Sequence, residues 1–184
     1  PGPSIAKMKA GDANAVCLSC HETNHNPTWK GSAHERRGVK CVECHSVHSA
    51  KSEKKQLKAA TDAEVCYGCH QNVRAQSLRT SHHPVREGLM SCSSCHEVHG
   101  RNLSLIKTDE RVNDLCTTCH AKQAGPFVFE HAPVTESCLT CHAPHGTVAN
   151  NLLKQGEPFL CLQCHEMHFH NARLSPTGPY SLPS

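Results

Sequence analysis

The chain has 184 residues, only 4% of them aromatic, with a formal charge of +3 and 17 histidines. One ordinary domain fits that length, but a hydrophobic fraction made largely of Ala and Cys excludes an ordinary apolar core. Lys and Arg are dispersed rather than clustered, which excludes a nucleic-acid stripe, and no apolar run is long enough to cross a membrane.

Pro1–Gly11 reads as loop, and the opening Pro1-Gly2-Pro3-Ser4 has the look of a processed end. Asp12 then precedes a predicted helix over Ala13–His21. Lys51–Lys58 reads as a solvated helix face. Thr61-Asp62-Ala63-Glu64 is a capping box leading into a helix over Cys66–Leu78, and Thr108-Asp109-Glu110 precedes another over Arg111–Lys122. The stretches between them, around Cys41, Cys92 and Cys138, are flanked by Gly, Pro and Ser and read as loops or single helical turns. Asn171–Ser184 carries Pro176, Pro179 and Pro183 and reads as a Pro-rich tail. No strand pattern appears. The expected fold is mostly irregular with short α-helices and essentially no β-sheet.

All 14 cysteines fall into seven copies of Cys-x-x-Cys-His. They are Cys17/Cys20/His21, Cys41/Cys44/His45, Cys66/Cys69/His70, Cys92/Cys95/His96, Cys116/Cys119/His120, Cys138/Cys141/His142 and Cys161/Cys164/His165. In this spacing two sulfurs form thioethers to the haem vinyl groups while the adjacent His binds the iron. Half a zinc site or a redox dithiol explains one Cys-x-x-Cys, but neither needs a His directly after it seven times. Seven covalent haems c are therefore expected, at about 26 residues each, so that porphyrin rather than side chain fills the core. Folding and haem attachment are then inseparable, and the apoprotein is expected to be disordered.

The motifs repeat in alternation. Cys17, Cys66, Cys116 and Cys161 are 49, 50 and 45 residues apart, and Cys41, Cys92 and Cys138 are 51 and 46 apart. A two-haem unit is thus used about three and a half times, over 12–60, 61–108, 109–150 and 151–170. Such repeats stack in a line, so a single elongated body spanning 1–184 with stacked haems is expected.

Ten further histidines remain, and several sit at repeated offsets. His48, His99, His145 and His168 lie three residues after a motif histidine; His34 and His131 lie seven before a first cysteine. His82 or His83 lies ten or nine before Cys92, with His82 favoured because His82-His83-Pro84-Val85 matches His131-Ala132-Pro133-Val134. These read as distal ligands, giving bis-His irons. A His three residues past a proximal ligand lies on the same side of that haem, so it is expected to ligate a different one. His25, His168 and His170 compete for the seventh place, and spare terminal His leave open a ligand donated by a neighbouring subunit. Met8, Met90 and Met167 occupy no repeated offset.

Beyond the motifs, Gly31-Ser32-Ala33-His34-Glu35-Arg36-Arg37-Gly38, Thr80–Gly88, Phe129-Glu130-His131-Ala132-Pro133-Val134, the His-Gly endings at His99-Gly100 and His145-Gly146, and Pro158-Phe159-Leu160-Cys161 form a detailed pattern. Over roughly residues 12–168 the chain resembles the periplasmic decahaem cytochromes of the DmsE/MtrA type and, more distantly, NrfB-like pentahaem carriers. The resemblance implies a near-linear bis-His array passing electrons from the periplasm to redox partner proteins or extracellular acceptors, sometimes through an outer-membrane porin. Seven motifs rather than ten is a departure, which a homopolymeric filament would offset. Covalent haem is attached outside the cytoplasmic membrane, so an exported, periplasmic or extracellular location is expected. A soluble shuttle is the alternative, and an enzyme would need an open haem at the first or last motif.

Overall fold

A computed structural model describes residues 4–21, 28–100, 106–108 and 111–165. Helices in it are short: α1 (Ala10–His21), α2 (Ala33–Arg36), α3 (Cys41–Cys44), α4 (Asp62–Tyr67), α5 (Gln71–Ser77), α6 (Val112–Thr117), α7 (Ala132–Glu136) and α8 (Phe159–Leu162). Single 3-10 turns at Cys92–Ser94 and Cys138–Thr140 carry the fourth and sixth motifs. Among the described residues there is no sheet, only isolated bridges. The mostly irregular fold with short helices is what the sequence pattern calls for.

Protein side chains alone make little core. Among the described residues the buried hydrophobic ones are Ala13, Trp29, Leu57 and Ala63, two of them alanine. Burial on that scale offsets little of the entropy of ordering such a chain. A large apolar group must supply the rest.

Four expected helices come out differently. Asp12 lies inside the first turn of α1 rather than ahead of it, where its charge faces the helix N-terminus. The helix expected over Cys66–Leu78 breaks at His70, whose ψ of 59° ends the α path between α4 and α5. His120 does the same with ψ 50°, so Arg111–Lys122 divides into α6 and a 3-10 turn at Ala121–Gln123. Lys51–Lys58 is not helical but a run of bends and turns, with Lys55 and Gln56 at φ 69° and 47°. That reversal brings Leu57 back to bridge His45. Asp109 and Glu110 lie outside the described residues; Thr61 caps α4 as expected, its hydroxyl accepting the Glu64 N–H at 3.2 Å.

One side chain on each of α1, α4 and α6, the helices of the first, third and fifth motifs, ties it to the following motif. Asn14 of α1 accepts the Cys41 N–H at 2.9 Å and donates to the Val39 carbonyl at 3.0 Å. Asn113 of α6 accepts the Cys138 N–H at 2.7 Å and donates to the Val134 carbonyl at 3.1 Å. In the middle unit Asp62 takes this part, accepting the Ser93 N–H at 3.0 Å and its hydroxyl at 2.8 Å. Each clamp sets two cysteine motifs side by side.

Candidate haem sites

Cysteines of consecutive motifs are neighbours from the first motif to the sixth. The Cys41 thiol is pushed up to about 11 by burial and then by the adjacent Cys17. Cys66 donates to Cys92, which raises the first and lowers the second. Burial pushes Cys116 up to about 11, with Cys138 adding to it. Between units the second cysteines meet: burial, then Glu43 and Cys69, raise Cys44, and burial followed by Cys119 raises Cys95. A sulfur alkylated as a thioether has no proton to lose, but the proximity remains. Attachment points therefore alternate first-to-first and second-to-second along the chain.

Cys20, Cys141, Cys161 and Cys164 are not among these paired sulfurs. Cys20 is exposed on α1, where the hydroxyl of its neighbour Ser19 donates to its sulfur at 3.9 Å. The first motif has one neighbouring motif along the chain, and Cys17 already faces it. Cys141 is half-buried, held through its backbone carbonyl by the Lys154 N–H at 2.8 Å. By the alternation Cys141 belongs with Cys164 as Cys95 does with Cys119. Cys164 instead lies exposed on the turn that ends α8, its N–H donating to the Cys161 carbonyl at 3.2 Å, and Cys161 is exposed with it. Among the described residues the clamps Asn14, Asp62 and Asn113 join the first motif to the second, the third to the fourth and the fifth to the sixth.

Five imidazole pairs accompany this line of sulfurs. His45 faces His99 at 6.1 Å between ring centroids, and His96 faces His145 at 6.0 Å. His70 faces His34 at 6.2 Å, His120 faces His83 at 6.2 Å, and His165 faces His131 at 5.8 Å. In every pair one member is a Cys-x-x-Cys-His histidine and the other belongs to the second set. Two iron–imidazole bonds of about 2 Å each, plus the ring radii, require about 6 Å between centroids. The gap fits one iron. Among the described residues no three or more His, Cys, Asp or Glu converge on a point that holds a metal ion, so pairs rather than cages are on offer.

The polar surroundings select which ring nitrogen is free. His34 Nδ1 donates to the Val98 carbonyl at 3.0 Å, and His83 Nδ1 to the Pro144 carbonyl at 2.8 Å. His45 and His142 Nδ1 donate to the carbonyls of Lys55 and Asn151 at 2.7 and 2.8 Å. A carbonyl only accepts, so Nδ1 carries the proton and Nε2 keeps its lone pair for a metal. Burial holds His99 and His145 below the usual imidazole range, reinforced by His45 and His96 respectively. Both stay neutral, as a metal ligand must. Trp29 packs edge-on against His99 at 5.9 Å, and its buried Nε1 has no acceptor among the described residues. A donor left unsatisfied in such a place suits a group with its own oxygens, as haem propionates have.

The favoured His82 does not face a motif histidine; His83 does. His82 has both nitrogens committed, Nδ1 to the Arg79 carbonyl at 2.6 Å and Nε2 to Glu87 at 3.2 Å, which holds the Glu87 carboxyl below its usual range. The deciding contact, His83 to Pro144, spans 61 residues, and no local pattern announces it. His48 is exposed and faces no other imidazole among the described residues. His25, His168 and His170, with Met167, lie outside the described residues.

The family defined by the doubled CXXCH motif matches residues 34–75, 82–125 and 131–169. The chain belongs to that family. Each matched stretch runs from an even-numbered motif, with its preceding histidine, into the next odd one. One ring pair closes within each: His34 with His70, His83 with His120, His131 with His165. The family's multihaem c-type character agrees with the relatives. The chain is 42% identical over 173 residues to the multiheme cytochrome MtrA of Shewanella baltica, covering 93% of this chain and 51% of that protein. It is 27% identical over 125 residues to the cytochrome c-type protein NrfB of Haemophilus influenzae, covering 66% and 51%. The chain spans about half the length of the curated relatives it matches. No helix among the described residues is long and apolar enough to cross a membrane.

Proposed function

We propose that this chain is an electron conduit carrying seven covalent haems c, exported to the periplasm or cell surface. The observation that carries the reading is the unbroken adjacency of attachment cysteines from Cys17 to Cys138, with a histidine pair on each of five motifs. Cys20, Cys141 and Cys164 complete their own motifs as attachment points, on the strength of the Cys-x-x-Cys-His spacing alone. The irons supply one-electron chemistry at low potential when held by two imidazoles. This chain's residues do the placing. His21, His45, His70, His96, His120, His142 and His165 are the proximal ligands, and His99, His34, His145, His83 and His131 close the pairs described above. The clamps Asn14, Asp62 and Asn113 would hold the attachment sites of neighbouring cofactors side by side.

At the five motifs with paired imidazoles no coordination position is left for a substrate, which argues against an enzyme at those sites. Redox proteins or an extracellular acceptor are the partners this reading implies, and we favour an end-to-end homopolymer over a porin complex or a soluble shuttle. Its support is the exposed apolar surface near the later motifs, including Val128, Phe129, Val148 and Phe159.

Intact-mass spectrometry counts the covalent haems, and electron paramagnetic resonance of the oxidised protein reports each iron's spin state. Seven haems, with the five paired irons low-spin, is the expected result. Fewer haems, or a high-spin iron that turns over nitrite or hydroxylamine, would replace the conduit with an enzyme.

A further inference from the structure

Two motif histidines are held by the same backbone device. Lys55 and Gln56, at φ 69° and 47°, form one left-handed pair of residues, and Asn151 and Leu152, at φ 55° and 57°, form another. In each pair the first carbonyl accepts the Nδ1 proton of the motif histidine, from His45 at 2.7 Å and from His142 at 2.8 Å. The second carbonyl accepts the N–H of the residue after that histidine, Ser46 at 2.8 Å and Ala143 at 2.9 Å. A left-handed leucine is unfavourable because its Cβ crowds the following carbonyl, so it persists only where its surroundings fix it.

The surroundings differ between the two. The first turn is fixed from within its own loop, where the Ser52 hydroxyl accepts the Leu57 N–H at 3.0 Å. The later one is fixed from another repeat: the Ser81 hydroxyl accepts the Leu152 N–H at 2.8 Å, across 71 residues. Backbone places Ser81 for this. Its N–H donates to the Thr147 carbonyl at 3.1 Å, and its own carbonyl accepts the Thr147 N–H at 2.8 Å. Beside it, the side chains of Arg79 and Thr80 donate to the carbonyls of Gly146 and Val148, each at 3.3 Å. One peptide group, between Asn151 and Leu152, therefore sits between Ser81 and His142. Its N–H donates to the serine and its carbonyl accepts from the imidazole.

We propose that Ser81 is a positioning residue for the iron of the sixth motif, acting through that peptide group on the His142 imidazole. It pins the peptide with its carbonyl toward Nδ1, and by accepting the N–H it polarises that carbonyl further. A stronger acceptor at Nδ1 makes the imidazole a better electron donor to iron, which favours the ferric state and lowers the potential. Ser81 stands two residues before His83, which faces the fifth motif's His120. The segment that supplies a ligand to one cofactor thus tunes its neighbour. The inference rests on the reading of the sixth motif as a haem site.

The test compares the holoprotein with its Ser81→Ala, Ser81→Val and Ser81→Thr variants. In a redox titration, each haem is followed by its own paramagnetically shifted methyl proton resonances. Ser81→Ala and Ser81→Val are expected to raise the potential of the haem on His142 and to leave the others in place. Ser81→Thr keeps a hydroxyl and is expected to match the wild type. Valine and threonine share one shape, so their difference reads the hydroxyl alone even where the alanine variant does not mature. The proposal is overturned if the valine and threonine variants give the same potential at that haem. It is also overturned if the shift spreads over every haem, as a general loosening would produce. Peptide mass mapping of the wild type checks the reading beneath it: Cys138 and Cys141 without haem would overturn that reading before any variant is compared.

Discussion

His34 Nδ1 lies 3.0 Å from the carbonyl of Val98, 64 residues away, and so ties the histidine ahead of one motif to the residue that precedes His99. His83 and Pro144 repeat the relation at 2.8 Å, beside His145. Histidines of neighbouring repeats are therefore set side by side by one hydrogen bond.

The choice between His82 and His83 follows from it. His83→Ala is expected to leave the iron on His120 five-coordinate and high-spin, while His82→Ala keeps every internal iron low-spin and removes only a surface link to Glu87. Electron paramagnetic resonance on the two variants decides. A high-spin iron in His82→Ala alone would reverse the assignment.

Asp62 occupies a place that Asn14 and Asn113 fill in the other units, so Asp62→Asn keeps an acceptor for Ser93 and removes only charge. Burial alone would raise its pKa, but the Ser93 N–H and hydroxyl and the nearby Lys55 outweigh that and hold it low. An anion between the attachment sites at Cys66 and Cys92 favours ferric iron. The variant is expected to raise the potential of those two haems, read by spectroelectrochemistry, with the others unmoved.

The same residue sets an acid limb. Its folded pKa lies below the unfolded value of about 3.9, so its contribution is complete above that value and is lost as pH falls through and below it. Acid unfolding of the wild type should steepen there, and the Asn variant should lack that component when followed by circular dichroism.

Removing a clamp outright is costlier. Asn113→Ala leaves the part-buried Cys138 N–H unsatisfied, which costs about 1–3 kcal/mol. The loss is expected in chemical denaturation of the holoprotein, together with slower electron exchange between the haems on Cys116 and Cys138.

Gly146 tolerates no side chain. Its φ is +147°, and a Cβ there would overlap the Gln76 carbonyl, which lies against it beside the bridge from Ser81 to Thr147. Gly146→Ala is expected to cost about 1–3 kcal/mol and to displace the adjacent His145. A spectral change at the iron on His96 is the specific readout; destabilisation without it would mean that His145 is held by other contacts.

Sequence by itself determined the chemistry: seven Cys-x-x-Cys-His motifs, their alternating spacing and the short capped helices are local facts, because a thioether pair and its proximal ligand need only five consecutive residues. It also placed His34, His99, His131 and His145 in the set opposite the motif histidines, through repeated offsets. What it could not give was which sulfurs meet, Cys44 with Cys69 and Cys95 with Cys119. The pairing of rings was another matter. His45 meets His99 and His34 meets His70 across loops of 36 to 54 residues, and offsets alone permit several partners for each. Only the tertiary structure decided it, since carbonyls from distant repeats, at Val98 and Pro144, choose which imidazole turns inward and which nitrogen it keeps free.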